Sequence, residues 1–216
     1  MTYCDQKVKH MEMITDLYLF LLSTILISLS GVMMPGPVFA VTITKGYKDK
    51  IAGALIAFGH GVIEFPLMFL IYFGFAQFFA SNAAQILIGV VGGLMLTYMG
   101  IEMFKSRRKT HEEGKNPEHA SFFAGIIATA ANPYFFLWWA GVGTALIMNA
   151  SIFGVTGFVV FAITHWLCDF LWDTFVSVTV FKSRRFWTKK VHEIVFGFCS
   201  VVLVAFGLWF IVSVFL

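Results

Sequence analysis

The sequence predicts an all-α membrane protein of six transmembrane helices, folded as two inverted three-helix repeats in which helices one and four are broken. Three observations lead there. Long apolar runs alternate with short polar connectors, basic residues crowd into every second connector, and prolines and ionisable residues recur at matching places in two halves.

Of 216 residues, 59% are hydrophobic and 12% charged, with a mean hydropathy of +0.83. A soluble domain carries about 25% charged residues. The charges gather in a few stretches, leaving apolar spans at about 14–44, 51–75, 83–104, 121–148, 152–180 and 194–216. About 20 apolar residues cross a bilayer. Several spans exceed that, which allows tilt or an internal break. Span one is far longer than the 7–15 apolar residues of a signal peptide and lacks a small-residue cleavage site, so it reads as a retained helix. The organisation is a tail at 1–13 and one transmembrane domain at 14–216. That domain comprises repeat one at about 14–104, a polar loop at 105–120 (KSRRKTHEEGKNPEH at 105–119) and repeat two at about 121–216.

The basic residues orient the bundle. Lys45, Lys48 and Lys50 follow span one; Lys105, Arg107, Arg108, Lys109 and Lys115 follow span three; Lys182, Arg184, Arg185, Lys189 and Lys190 follow span five. Only Lys7 and Lys9 oppose them. By the positive-inside rule, loops 45–50, 105–120 and 181–193 are cytoplasmic and both termini lie outside. The net charge of +3 is therefore a topology signal, and nothing in the sequence resembles a nucleic-acid motif. Cys4, Cys168 and Cys199 form no close pair, which argues against a disulfide framework or zinc knuckle.

The halves echo each other. Pro35-Gly36-Pro37 interrupts span one and Asn132-Pro133 interrupts span four. His60 and Glu64 in span two correspond to His165 and Asp169 in span five, and Gly100 in span three to Gly207 in span six. Three crossings per half force the repeats into opposite orientations. Broken helices at matching places point to a binding site between the repeats. A membrane proline frees backbone groups that the surroundings must satisfy, and Gly36 between two prolines can take dihedrals closed to other residues. The alternative for each break is a packing kink.

Ionisable residues inside spans face the bundle interior or a water-filled path, because a charge at the bilayer centre costs roughly 2.5–3.5 kcal/mol or more. His60 and Glu64 share a helical face, as do His165, Asp169 and, one turn on, Asp173. At about 1.5 Å per residue, His60 lies near mid-bilayer. Glu64 and Asp169 could exchange a proton, hold an ammonium group or bind a metal ion. The bland alternative is that each histidine only hydrogen-bonds its neighbouring carboxylate and knits two helices together. Asp16 and Glu102, near span ends, read as snorkelling interfacial residues. Gly89 and Gly93 make a helix-packing face, within the chain or in a homodimer. Trp138, Trp139, Trp166, Trp172 and Trp187 read mostly as lipid-facing or interfacial anchors. No phosphate-binding glycine loop is present, so ATP-driven transport by this chain alone is not expected. The membrane reading implies neither an enzyme nor a cofactor.

Met34-Pro35-Gly36-Pro37-Val38-Phe39, then a short basic loop, and Asn132-Pro133-Tyr134-Phe135-Phe136 resemble the two signatures of the lysine exporter (LysE/RhtB) family of amino-acid translocators. The likeness runs in order along nearly the whole chain. It implies an inner-membrane secondary transporter that exports amino acids or related metabolites, driven by the proton gradient. Where that family often has Gly-Asp in span two, this chain has Ile63-Glu64, with His60 added. Two other readings stay open. His60, Glu64, His165 and Asp169 form a plausible nitrogen and oxygen ligand set for a divalent metal exporter of the same superfamily. More remotely, His60 and His165 could be axial ligands of a haem in an electron-transfer protein.

Overall fold

The computed structural model describes residues 3–34, 36–74, 82–107 and 118–215; Pro35 and most of the loop expected at 105–120 lie outside them. Among the described residues there are helices and no strand. They are α1 (Tyr3–Val32), α2 (Pro37–Gly46), α3 (Ala52–Tyr72), α4 (Asn82–Ser106), α5 (Glu118–Ala130), α6 (Pro133–Ser151), α7 (Gly154–Ser183) and α8 (Lys189–Ser213). The first helix begins at Tyr3, so the stretch expected as a separate tail is largely a continuation of α1. Three helices are long and apolar enough to cross a membrane, and two bent pairs raise the candidates to five among the described residues.

Those bent pairs are the two expected breaks. The axis turns by 75° from α1 to α2 and by 60° from α5 to α6. Pro37 and Pro133 each open the second half-helix, where a missing N–H costs nothing and the ring would obstruct a preceding turn. Gly36 adopts an ordinary extended conformation (φ −148°, ψ −171°), contrary to the expectation of special dihedrals. Left-handed glycine geometry occurs instead at Gly74 (φ 95°), which ends α3, and at Gly154 (φ 69°), which turns the chain from α6 into α7.

Glycines also bring the helices into backbone contact. A Cβ on Gly59 would sit 2.1 Å from the Phe122 carbonyl, and one on Gly125 would sit 2.2 Å from that of Ile56, so α3 and α5 interlock in both directions. Gly53 lies as closely against the Asp173 carbonyl of α7. Between α4 and α8 the contact is reciprocal, each of Gly93 and Gly207 resting on the other's carbonyl. Gly89 rests on Phe210 of α8 and on Val214 just past its end, so the Gly89/Gly93 face packs within the chain.

At one end of the bundle, Arg184 Nη1 donates to the Tyr47 and Lys48 carbonyls at 2.9 and 3.3 Å, capping α2. Ser177 Oγ donates to the Lys50 carbonyl nearby (2.9 Å). Large apolar side chains such as Leu26, Phe58, Leu171 and Phe198 point outward, each more than half exposed. Glu64, Ser28, Thr42 and Thr129 are fully buried. This inside-out distribution suits a lipid surrounding.

Candidate substrate and ion site

α3 and α7 cross so that their histidine and carboxylate faces meet. Glu64 stands at the centre. Its Oε1 lies 3.0 Å from His60 Nε2 and 3.3 Å from His165 Nε2. Asp169 Oδ1 is 3.9 Å from His60 Nε2, and Asp169 Oδ2 is 3.7 Å from His165 Nε2. The two imidazole–carboxylate pairs read separately from the sequence are thus a single cluster. Each histidine reaches beyond its own helix, so the cluster also ties α3 to α7, as the structural alternative expects.

Each imidazole is held from behind by a hydroxyl. Thr129 Oγ1, in the last turn of α5, lies 2.8 Å from His60 Nδ1; Ser28 Oγ, in the last turns of α1, lies 2.7 Å from His165 Nδ1. Thr129 donates its own hydrogen to the Gly125 carbonyl (2.8 Å) and therefore accepts from His60 Nδ1–H. His60 Nε2 then faces Glu64 Oε1 at a distance that two lone pairs cannot sustain. One proton lies between them.

The remaining oxygens are less provided for. Glu64 Oε2 and Asp169 Oδ2 are buried without a hydrogen-bond partner. One turn further along α7, Asp173 Oδ1 accepts from Thr42 Oγ1 of α2 (3.2 Å). Aromatic rings close the remaining sides. Trp138 stacks on His165 (5.3 Å, 28°), Trp139 meets it edge-on (5.0 Å), and Phe135 meets His60 edge-on (5.2 Å). The sequence expectation for the tryptophans needs correcting here. Trp139 is buried and Trp138, Trp166, Trp172 and Trp187 are half-buried, because the first two pack on His165 and Trp166 Nε1 donates to the Ala57 carbonyl.

A cavity of about 110 Å³ lies beside the cluster. His60, Glu64, His165, Asp169 and Asp173 line it, and so do Gly36, Pro37, Val38 and Phe39 at the start of α2 and Asn132, Tyr134 and Phe135 at the start of α6. Pro133 is buried beside them, and Pro35 lies outside the described residues. Two half-helices therefore begin at the cavity wall, where first-turn N–H groups lack intrahelical partners. They begin differently. Asn132 caps α6 by accepting from Tyr134 N–H (3.2 Å), whereas Gly36 offers α2 no side-chain cap.

The sequence reading missed Ser28, Thr42 and Thr129. Their only sequence signal is a hydroxyl within an apolar span, which a great many membrane helices share. The haem reading does not fit, since the Glu64 carboxylate occupies the ground between the two Nε2 atoms that an iron and its macrocycle would need. His60, Glu64 and Asp169 do offer ligand atoms that lie within 4.8 Å of one another.

A family model described as LysE type translocator matches residues 29–214, which takes in both breaks and the whole cluster. The chain belongs to this family. It is a multi-pass membrane translocator and not an enzyme, consistent with its apolar exterior. Among characterised sequences it is 29% identical over 196 residues to "Putative amino acid efflux protein YcgF" of Bacillus subtilis (strain 168), a match covering 88% of this chain and 93% of that protein. No solved structure is a significant match to the translocator.

Proposed function

We propose that this translocator is a secondary transporter that exports amino acids or related small metabolites across the cytoplasmic membrane in exchange for protons. The observation that carries the reading is the pairing of opposite charges around one cavity. An uncapped helix N-terminus and the carboxylates of Glu64, Asp169 and Asp173 all line it. A zwitterion needs both. The partial positive charge at the start of α2 suits an α-carboxylate. The carboxylates suit an ammonium group. At roughly 10–15 Å³ per ordered water, the cavity holds several waters, so a small polar solute is the natural occupant and a large one is not.

Glu64 and Asp169, tuned by His60 and His165, carry the proton in this reading. Pro35, Gly36, Pro37, Asn132 and Pro133 shape the site through the backbone groups they free. The architecture proposed is six spans in two inverted repeats within one domain, with both termini outside and the basic connectors in the cytoplasm. Support comes from which elements meet. The second helices of the two halves, α3 and α7, join through the cluster, and the third helices, α4 and α8, join through reciprocal glycines. Each histidine is backed by a hydroxyl from the broken helix of the opposite half.

The test is proton flux in proteoliposomes challenged with a panel of amino acids. Flux triggered by particular amino acids and abolished in the Glu64→Gln, Asp169→Asn double variant supports the reading. Unchanged amino-acid transport in that variant overturns the assigned roles. For topology, single cysteines at Arg185 and Ser151 in a cysteine-free background should react with an impermeant thiol reagent from opposite sides, Arg185→Cys only from the cytoplasm.

A further inference from the structure

We propose that His60, Glu64 and Asp169 bind one divalent transition-metal ion of the zinc class inside the transport cavity. This goes beyond amino-acid export: the ion is a ligand of the cavity and need not be cargo. Zinc binds nitrogen and oxygen ligands at about 2.0–2.2 Å, which makes neighbouring ligands of a tetrahedral site about 3.3–3.6 Å apart. The observed separations bracket that edge. His60 Nε2 stands 3.0 Å from Glu64 Oε1 and 3.9 Å from Asp169 Oδ1, and all three residues offer atoms within 4.8 Å of one another. Rotation of the two carboxylates about their side-chain bonds would bring the set to that edge, and all three residues line the cavity, from which a fourth ligand can come.

Two further observations point to a ligand. First, mutual pairing leaves the cluster unsatisfied: Glu64 Oε2 and Asp169 Oδ2 have no hydrogen-bond partner, although Glu64 is 1% and Asp169 7% exposed. Two buried carboxylates short of donors are costly to keep anionic, and a cation held through their other oxygens, Glu64 Oε1 and Asp169 Oδ1, lowers that cost by neutralising both groups. Second, the backing of His60 is that of a metal ligand. Its Nδ1–H donates to Thr129, which fixes the ring and directs Nε2 at the carboxylates. One imidazole and two carboxylates favour a borderline ion such as Zn²⁺ or Co²⁺ over Ca²⁺, which takes six to eight oxygens. The ion takes the place of the proton now held between His60 Nε2 and Glu64 Oε1. His165 keeps its contact with Glu64 and orients that carboxylate from the far side.

The test uses purified full-length protein in detergent, without substrate or proton gradient, so its result is independent of the transport reading. Titration with Co²⁺ should give the intense visible band of a low-coordinate ion, saturating at one equivalent and abolished by Zn²⁺. His60→Gln and Glu64→Gln should each weaken binding at least tenfold. Thr129→Val, which keeps all three ligands, should weaken it roughly 10–100-fold. No such band in the wild type, or a band unchanged in properly folded ligand variants, overturns the site. Should those variants fail to fold, carbethoxylation of wild-type His60, read by mass spectrometry, decides the matter. Zn²⁺ should protect His60, and equal modification with and without Zn²⁺ overturns the proposal.

Discussion

Replacing Thr129 by valine removes one hydroxyl and keeps the side-chain shape. Thr129 is fully buried, its oxygen accepting from His60 Nδ1–H and its hydrogen going to the Gly125 carbonyl, both at 2.8 Å. In Thr129→Val the imidazole, only 7% exposed, loses that partner. An unsatisfied buried donor costs about 1–3 kcal/mol. Shifting the proton to Nε2 offers no escape, because Nδ1 then turns an unsatisfied lone pair to a methyl group. For a chain of this size 1 kcal/mol moves the melting temperature by about 2–4 °C, so a drop of about 2–12 °C is expected. Thr129→Ser keeps the hydroxyl and gives up one methyl group, about 0.8 kcal/mol. The assay is thermal unfolding in detergent, followed by tryptophan fluorescence and repeated in a His60→Phe background. There the cost of Thr129→Val should largely disappear. A valine variant that melts with the wild type, or one that loses as much in the His60→Phe background, refutes the assigned hydrogen bond.

The other predictions concern the cluster and the packing around it. Glu64→Gln should fold near wild-type stability, since its amide N–H can donate to His60 Nε2, while Glu64→Ala should lose about 3–5 kcal/mol by stranding two imidazoles; the same melting assay compares them. Gly125→Ala should sharply reduce the yield of monodisperse protein, because its Cβ would lie 2.2 Å from the Ile56 carbonyl. Gly141→Ala, with open space at that position, should leave the yield intact. Arg184→Ala should free the Tyr47 and Lys48 carbonyls and hasten tryptic cleavage after Lys48 in detergent; an unchanged rate would mean that the cap does not hold this end of α2.

Much of the architecture was legible because membrane solvation is a coarse filter. An apolar run of sufficient length has few alternatives to a helix, and a proline within one has few alternatives to a break. Both breaks and both ionisable faces could therefore be read from residue types and spacing alone. What could not be read was the meeting of the faces. Helical periodicity says that His60 and Glu64 share a side of α3, but the approach of His165 depends on how α3 and α7 pack. That packing is set by small residues such as Gly53 against the Asp173 carbonyl, whose role shows only when the partner backbone is present. The hydroxyls were illegible for a related reason. Ser28 and Thr129 lie far along the chain from the histidines they hold. The tryptophans misled because an aromatic ring in an apolar span suits a lipid boundary and a buried imidazole equally well.

The crosswise holding of the histidines has a mechanical consequence. Ser28 and Thr129 ride on the segments that run into the two breaks, while the imidazoles they grip belong to the continuous helices α3 and α7. Tilting either broken helix must turn a ring against Glu64 or tear its hydroxyl contact away. Conversely, any change in which atom carries the shared proton alters the pull on the hinge. Shape and charge are geared together at this site: neither broken helix can tilt without an imidazole on the opposite continuous helix registering it, and under the proposed exchange that link would leave little room to move solute and proton separately.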